Sequence, residues 1–133
     1  MNDPNEKIRD EFLGMLNIIL RVEDDTHKKS LMEDFLEKVI QISLQDKNIG
    51  IRERAFNVLE ETKNPKILDP SFKAIREFSK EEWGIVKSSV LACLRALYWN
   101  DYRITITQKL YTLLDEPNLQ ERVREILERL RAR

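Results

Sequence analysis

Several groups of residues in this chain have side chains able to do chemistry. Glu23, Asp24, Asp25 and His27 place three carboxylates and the only imidazole within one short run. Oxygen and imidazole donors of this kind can hold a divalent cation. No supporting ligands accompany them, so the run reads as a solvated loop and no metal is expected. Cys93 is the only thiol. It sits on an apolar helix face with no His, Asp or Asn pattern near it, which suits a small core residue better than a nucleophile. Arg122, Arg124, Arg129, Arg131 and Arg133 could contact phosphate. Glu121, Glu125 and Glu128 interleave with them at helical spacing, so this face reads as a solvated, ion-paired cap. Arg131 and Arg133 also suit the negative end of a helix. Trp83, Tyr98, Trp99 and Tyr102 cluster around two turns, where aromatic residues either anchor a partner or seal a helical layer. Glycine-rich phosphate loops, zinc-ligand spacings and nucleophile elbows do not occur. The expectation is a protein with no enzymatic activity and no cofactor.

The elements that position these groups are all helical. A chain of 133 residues fits one domain, here 1–133, and can bury a core without disulfide or metal. With 41% hydrophobic and 35% charged residues, and only 3 Gly and 4 Pro, it suits an all-α fold with salt-bridged surfaces. The 23 basic and 24 acidic residues leave a net charge of −1 and no global pull on nucleic acid. No apolar run approaches the ~18–20 residues of a membrane span, and the charged N-terminal stretch is unlike a signal peptide. A cytoplasmic location follows as the expectation. Seven helices are predicted. The first covers Pro4 to Arg21, capped by Asp3, with Ile8, Phe12, Met15, Leu16 and Ile19 on one inward face. The second covers Lys28 to Leu44, with an arc so wide that it needs neighbours on both sides. The third covers Ile49 to Thr62 and ends at Asn64-Pro65. The fourth covers Pro70 to Ser79. There, Asp69-Pro70 is either its cap and first residue or a kink in a helix starting near Lys66. The fifth covers Glu82 to Trp99. The sixth, Tyr102 to Leu114, contains the β-branched alternation Ile104-Thr105-Ile106-Thr107. A short strand is conceivable there, but the flanking helices favour a helix. The seventh runs to Arg131 with Asp115-Glu116-Pro117 at its start. Its charged surface suits an end cap, so the chain reads as complete.

One pattern recurs through this layout. An aliphatic residue, usually followed by a basic one, starts a set of apolar residues at offsets four, seven and eight. The copies begin at Ile8-Arg9, Ile51-Arg52, Val86-Lys87 and Leu119-Gln120, with separations of 43, 35 and 33 residues. In the first three an acidic residue (Asp3, Asp46, Glu81) stands five residues earlier. In the fourth, Asp115 is four residues earlier and Gln120 replaces the basic residue. A period of this length signals stacked helical units. The element resembles the second helix of a HEAT repeat, and the resemblance spans essentially the whole chain. It implies an all-α, right-handed α-α superhelix, a solenoid of about three and a half repeats. The first helix would be a half-repeat, followed by pairs two–three, four–five and six–seven. It also implies that Asp46, Arg52, Glu81 and Lys87 serve as caps and as a charge ladder between repeats.

On that resemblance the residues at offsets two, six and nine line a concave groove. These are Asp10, Glu53, Ser88 and Glu121; Gly14, Asn57, Ala92 and Glu125; and Asn17, Glu60, Arg95 and Glu128. The groove is small-floored at Ser88, Ser89 and Ala92 and acidic at its flanks. The expected function is non-catalytic binding of a protein partner, as a scaffold or interaction module. The candidate binding residues are Glu53, Asn57, Glu60, Ser88, Arg95, Trp99 and Tyr102. The protein would be a monomer or weak dimer. Other readings on the same resemblance are a toxin-neutralising immunity protein, a chromophore lyase, a segment of a larger assembly, and a nucleic-acid binder akin to HEAT-like DNA glycosylases. Near-neutral charge counts against the last.

Overall fold

The structure is a computed structural model and describes residues 4–22 and 24–132. The cap expected at Asp3, and the parts assigned to Glu23 and Arg133, lie outside the described residues. Seven α-helices follow one another: α1 Pro4–Val22, α2 Asp25–Gln45, α3 Ile49–Thr62, α4 Leu68–Glu77, α5 Lys80–Tyr98, α6 Arg103–Leu113 and α7 Gln120–Arg131. Short 3-10 turns at Pro65–Ile67 and Pro117–Leu119 lead into α4 and α7. The described residues contain no strand.

Side chains at the turns explain where the helices start, and several differ from the expected caps. The run 24–27 is not a solvated loop. Asp24 is the N-cap of α2, accepting a 2.9 Å hydrogen bond from the His27 amide, and the helix begins at once. That bond holds the Asp24 carboxyl below the usual carboxylate range. Asp46 ends α2 rather than capping α3; Asn48 caps α3 by accepting from the Gly50 and Ile51 amides at 2.8 and 3.3 Å. Ser79, not Glu81, caps α5. Its hydroxyl accepts from the Glu82 amide at 3.1 Å, and Glu82 returns the contact to the Ser79 amide at 2.8 Å, a capping box. Asp115 makes no cap for α7, and Gln120 instead reaches back to the Leu114 carbonyl at 3.0 Å. Pro70 lies in the first turn of α4, where its missing N–H removes no helical bond. The helical run starts at Pro65 and contains Pro70, which agrees with a start near Lys66 and not with Pro70 as the first residue. The alternating residues 104–107 are helical in α6, with the Thr107 hydroxyl bonded to the Arg103 carbonyl at 2.8 Å.

The contacts sort the helices into a row and a covering set. α3 touches α1 on one side and α5 on the other, and α5 touches α7. α2 packs on α3, α4 on α5, and α6 on both α5 and α7; α2 also touches α4. The expected pairs two–three, four–five and six–seven are therefore in contact. One apolar cluster runs through all of them, with Phe56, Leu59, Ile75, Leu94, Ile106 and Ile126 sealed from solvent. The recurring set is fully buried in its last three copies: Ile51, Ala55, Val58 and Leu59; Val86, Val90, Cys93 and Leu94; Leu119, Val123, Ile126 and Leu127. The first copy departs from expectation. Ile8 and Met15 are exposed; α1 buries the expected Leu16 together with Leu13 and Leu20, with Phe12 and Ile19 half-buried. α1 packs on α3 and also touches α2, so the faces turned to those two helices are the ones covered.

A charge ladder ties the row together. Arg9 of α1 holds the buried Asp46 carboxylate with two nitrogens. Arg52 of α3 donates to the Asp46 carbonyl, pairs with Glu82 at 2.8 Å and lies over the Phe78 ring. Lys87 of α5 reaches Glu125 of α7 at 3.1 Å. The acid at the second rung is Glu82, not Glu81. Arg122 serves the fold rather than phosphate: it donates to the carbonyls of Ile75 and Phe78 at 2.9 and 2.8 Å and covers the buried Trp83 ring. Substituting Arg52→Ala strips a charge-assisted contact from Glu82 and leaves a turn carbonyl unpaired, so it should cost about 2–3 kcal/mol. Arg54→Ala removes only an exposed 2.8 Å pair with Asp10 and should cost under ~1 kcal/mol. Urea denaturation of both variants checks the contrast.

Candidate functional site

The end of α3 and the second half of α5 line a cleft of about 560 Å³, to which α7 contributes Arg129. Its floor is α5. Ser88, Ala92 and Ala96 stand four residues apart on one face, so no long side chain fills the space. Glu60, Glu61 and Lys63 form the α3 wall. Arg95 stands opposite, its guanidinium donating to the Ala132 carbonyl at 3.3 Å. Arg129 pairs with Glu125 at 3.2 Å, and the same carboxylate receives Lys87. Glu61 receives Arg21 of α1 at 3.4 Å.

Two features of the α3 wall are held at a cost. Glu60 is half-buried, and its pKa is raised, first by burial and then by repulsion from Glu61. Lys63 ends α3 in the left-handed conformation, φ 50°, the one non-glycine residue with positive φ among the described residues. That conformation costs a residue with a Cβ roughly 1 kcal/mol. Its amide bonds back to the Glu60 carbonyl at 3.2 Å, and its side chain lines the cleft mouth. The cleft thus offers a carboxyl that binds protons easily, two guanidinium groups, an ammonium and a small-residue floor. The one thiol is sealed away: Cys93 is fully buried, its Sγ lies 3.2 Å from the Phe56 carbonyl, and burial pushes its pKa far up.

Of the residues singled out from the sequence, the cleft brings together Glu60, Ser88 and Arg95. Glu53 and Asn57 are half-buried earlier on α3 and do not line it. Trp99 and Tyr102 stand beyond it, at the turn from α5 to α6. Trp99 is partly exposed, packs edge-on against Tyr98 at 5.0 Å and lies under Arg103 at 5.7 Å. Tyr102 is half-buried against the core. Sequence reasoning missed Glu61 and Lys63 and placed Arg129 on a solvated cap; all three line the cleft past the last offset of the recurring set. A larger hollow of about 680 Å³, between the first half of α2 and the turn after Thr62, shares only Glu61, Thr62 and Lys63 with α3 and holds none of the singled-out residues.

Comparison with protein-family models, with curated proteins and with solved structures returns no match.

The raised pKa of Glu60 carries a stability signature. The folded protein binds this proton more tightly than the unfolded chain does. Folding is therefore weakened while Glu60 is ionised, and the loss is recovered as pH falls through the folded value. Glu60→Gln should raise stability at neutral pH, with the gain fading as pH falls through the folded value and gone below about pH 4, where the unfolded carboxyl is protonated as well. Thermal melts of both proteins from neutral to acid pH measure this.

Proposed function

We propose that this chain is a HEAT-like helical-repeat module, coiled as a right-handed superhelix, that binds a protein partner and catalyses no reaction. The cleft along α3, α5 and α7 is its contact surface. The observation that carries this reading is the convergence of Glu60, Ser88 and Arg95, taken from two helices by their offsets in the recurring set, on one open cleft. The three later copies of that set are buried throughout, as repeat stacking requires.

The chemistry fits a polypeptide ligand. Ser88, Ala92 and Ala96 let a partner backbone approach α5 closely. Glu60, Arg95 and Arg129 offer both signs of charge within one cleft, which sets the register of a partner with matched charges. Trp99, one turn past Arg95, supplies a partly exposed aromatic edge of the kind that anchors interfaces. Glu53 and Asn57 extend the polar wall along α3.

Affinity capture with the tagged protein, before and after nuclease treatment, tests the reading. A stoichiometric protein should be retained after nuclease and lost with the double variant Arg95→Glu/Trp99→Ala. Both side chains are exposed, so the melting curve of that variant should stay close to wild type. Equal retention by the folded double variant removes the cleft as the contact surface, and capture that nuclease abolishes replaces the protein partner with nucleic acid.

A further inference from the structure

Four apolar side chains on α1 face outward with nothing packed on them. Ile8, Met15, Ile18 and Val22 are 64%, 62%, 64% and 73% exposed. Ile8, Met15 and Val22 recur every seven residues and Ile18 lies on the same side between them, so they make one stripe along the helix. The stripe lies on the far side of α1 from Leu13 and Leu20, which are buried. Phe35 of α2, 36% exposed and edge-on to Phe12 at 5.5 Å, borders it. α1 is apolar on two opposite faces, and the fold covers one.

The repeat pattern says what such a stripe is for. Ile8 and Met15 occupy the positions that Ile51 and Val58 occupy in α3. Val58 lies on the same face as Arg54 and Glu61, the residues that bond Asp10 and Arg21 of α1. In α3, then, these positions are covered, on the side turned to the preceding helix of the row. α1 presents apolar side chains at the same two positions, Ile8 and Met15, and they are exposed. Gly14 borders the stripe one turn from Ile18. A Cβ at Gly14 would meet nothing within 4 Å, so the chain's own packing does not require glycine there. Glycine in mid-helix is destabilising, and its use is close backbone approach.

We propose that this stripe is a self-association face, with α1 of one copy packed antiparallel on α1 of a second about a two-fold axis near Met15. The stripe is centred on Met15, so Ile8 of each copy meets Val22 of the other and Met15 meets its own counterpart. The antiparallel sense follows from charge. It brings Glu11 of each copy level with Arg21 of the other, to within about 3 Å along the axis. A parallel crossing sets Glu11 on Glu11 and Lys7 on Lys7. The stripe is on the order of 500 Å², the size of the largest apolar patch on a monomer, which is often functional. Two copies together bury about 1,000 Å², where specific interfaces begin. Head-to-tail stacking would need a matching apolar surface on α7, whose exposed residues Arg124, Glu128 and Arg131 are charged.

Sedimentation equilibrium on the 133-residue chain, from micromolar to millimolar concentration, tests this. The mass should rise from 15.9 kDa towards twice that value. Met15→Glu/Ile18→Glu should hold it at the monomer value with an unchanged helical circular dichroism spectrum. Gly14→Leu should weaken association while raising the melting temperature. Ile104→Glu/Tyr111→Glu, on the exposed face of α6, should associate like wild type. A wild-type chain that stays monomeric at the highest concentration overturns the proposal, as does a folded Met15→Glu/Ile18→Glu variant that still associates. None of these readouts depends on the α3–α5–α7 cleft, so this proposal and the partner-binding reading can fail separately.

Discussion

The guanidinium of Arg52 is the joint on which the middle of this molecule depends. It projects from the first turn of α3 and touches the end of α2 through the Asp46 carbonyl, the start of α5 through Glu82, and the end of α4 through the Phe78 ring. Four helices are oriented by one planar, permanently charged group. An ammonium could not serve all three contacts, because it lacks the rigid fork and the flat face. Asp46 is the complement of this joint. Its carbonyl takes Arg52, its carboxylate takes Arg9, and one carboxylate oxygen also accepts from the Asn48 amide at 2.9 Å. Asp46 can therefore be buried between α2 and α3 because its carbonyl and its carboxylate both have partners. Similar joints recur along the row, with Lys87 on Glu125 and Arg122 on the last carbonyls of α4.

A row held in this way needs interior helices that are apolar on several sides and terminal helices that are not. α3 and α5 satisfy the first condition, having neighbours on both flanks and a covering helix behind. α7 satisfies the second, with Val123, Ile126, Leu127 and Leu130 inward and charged residues outward. α1 has the composition of an interior helix in a terminal position. The difference between the two ends lies in side-chain chemistry alone, since both end helices touch the row through a single neighbour in it.

The helices themselves were legible in the sequence, because apolar spacing and breaks such as Asn64-Pro65 are local signals. α3 runs over the residues its pattern marks out. What escaped local reading was anything decided by a neighbour. α1 carries two apolar stripes of equal periodicity, and only the position of α3 selects Leu13, Leu16 and Leu20 over Ile8 and Met15. Cap identity also escaped, since Asn48 in place of Asp46, and Ser79 in place of Glu81, depend on where the backbone leaves extended geometry. Arg122 and Trp83 look like free recognition groups until the last carbonyls of α4 take Arg122, which lies over the Trp83 ring. The cleft was half legible. Glu60, Ser88 and Arg95 follow from helical offsets, whereas Lys63 needs the left-handed turn after α3, which no periodicity encodes.

The buried thiol gives the molecule an internal clock. Cys93 lies between α3 and α5 with its sulfur against the Phe56 carbonyl, at the centre of the row and far from either end. Fraying of α1 or α7 leaves it covered. A reagent reaches the sulfur when the packing of α3 and α4 on α5 opens, which dismantles the Arg52 joint as well. The rate at which an alkylating agent consumes the one cysteine therefore reports cooperative opening of the whole centre. Placed beside amide exchange at the chain ends, that rate separates motions that loosen the stack from those that destroy it.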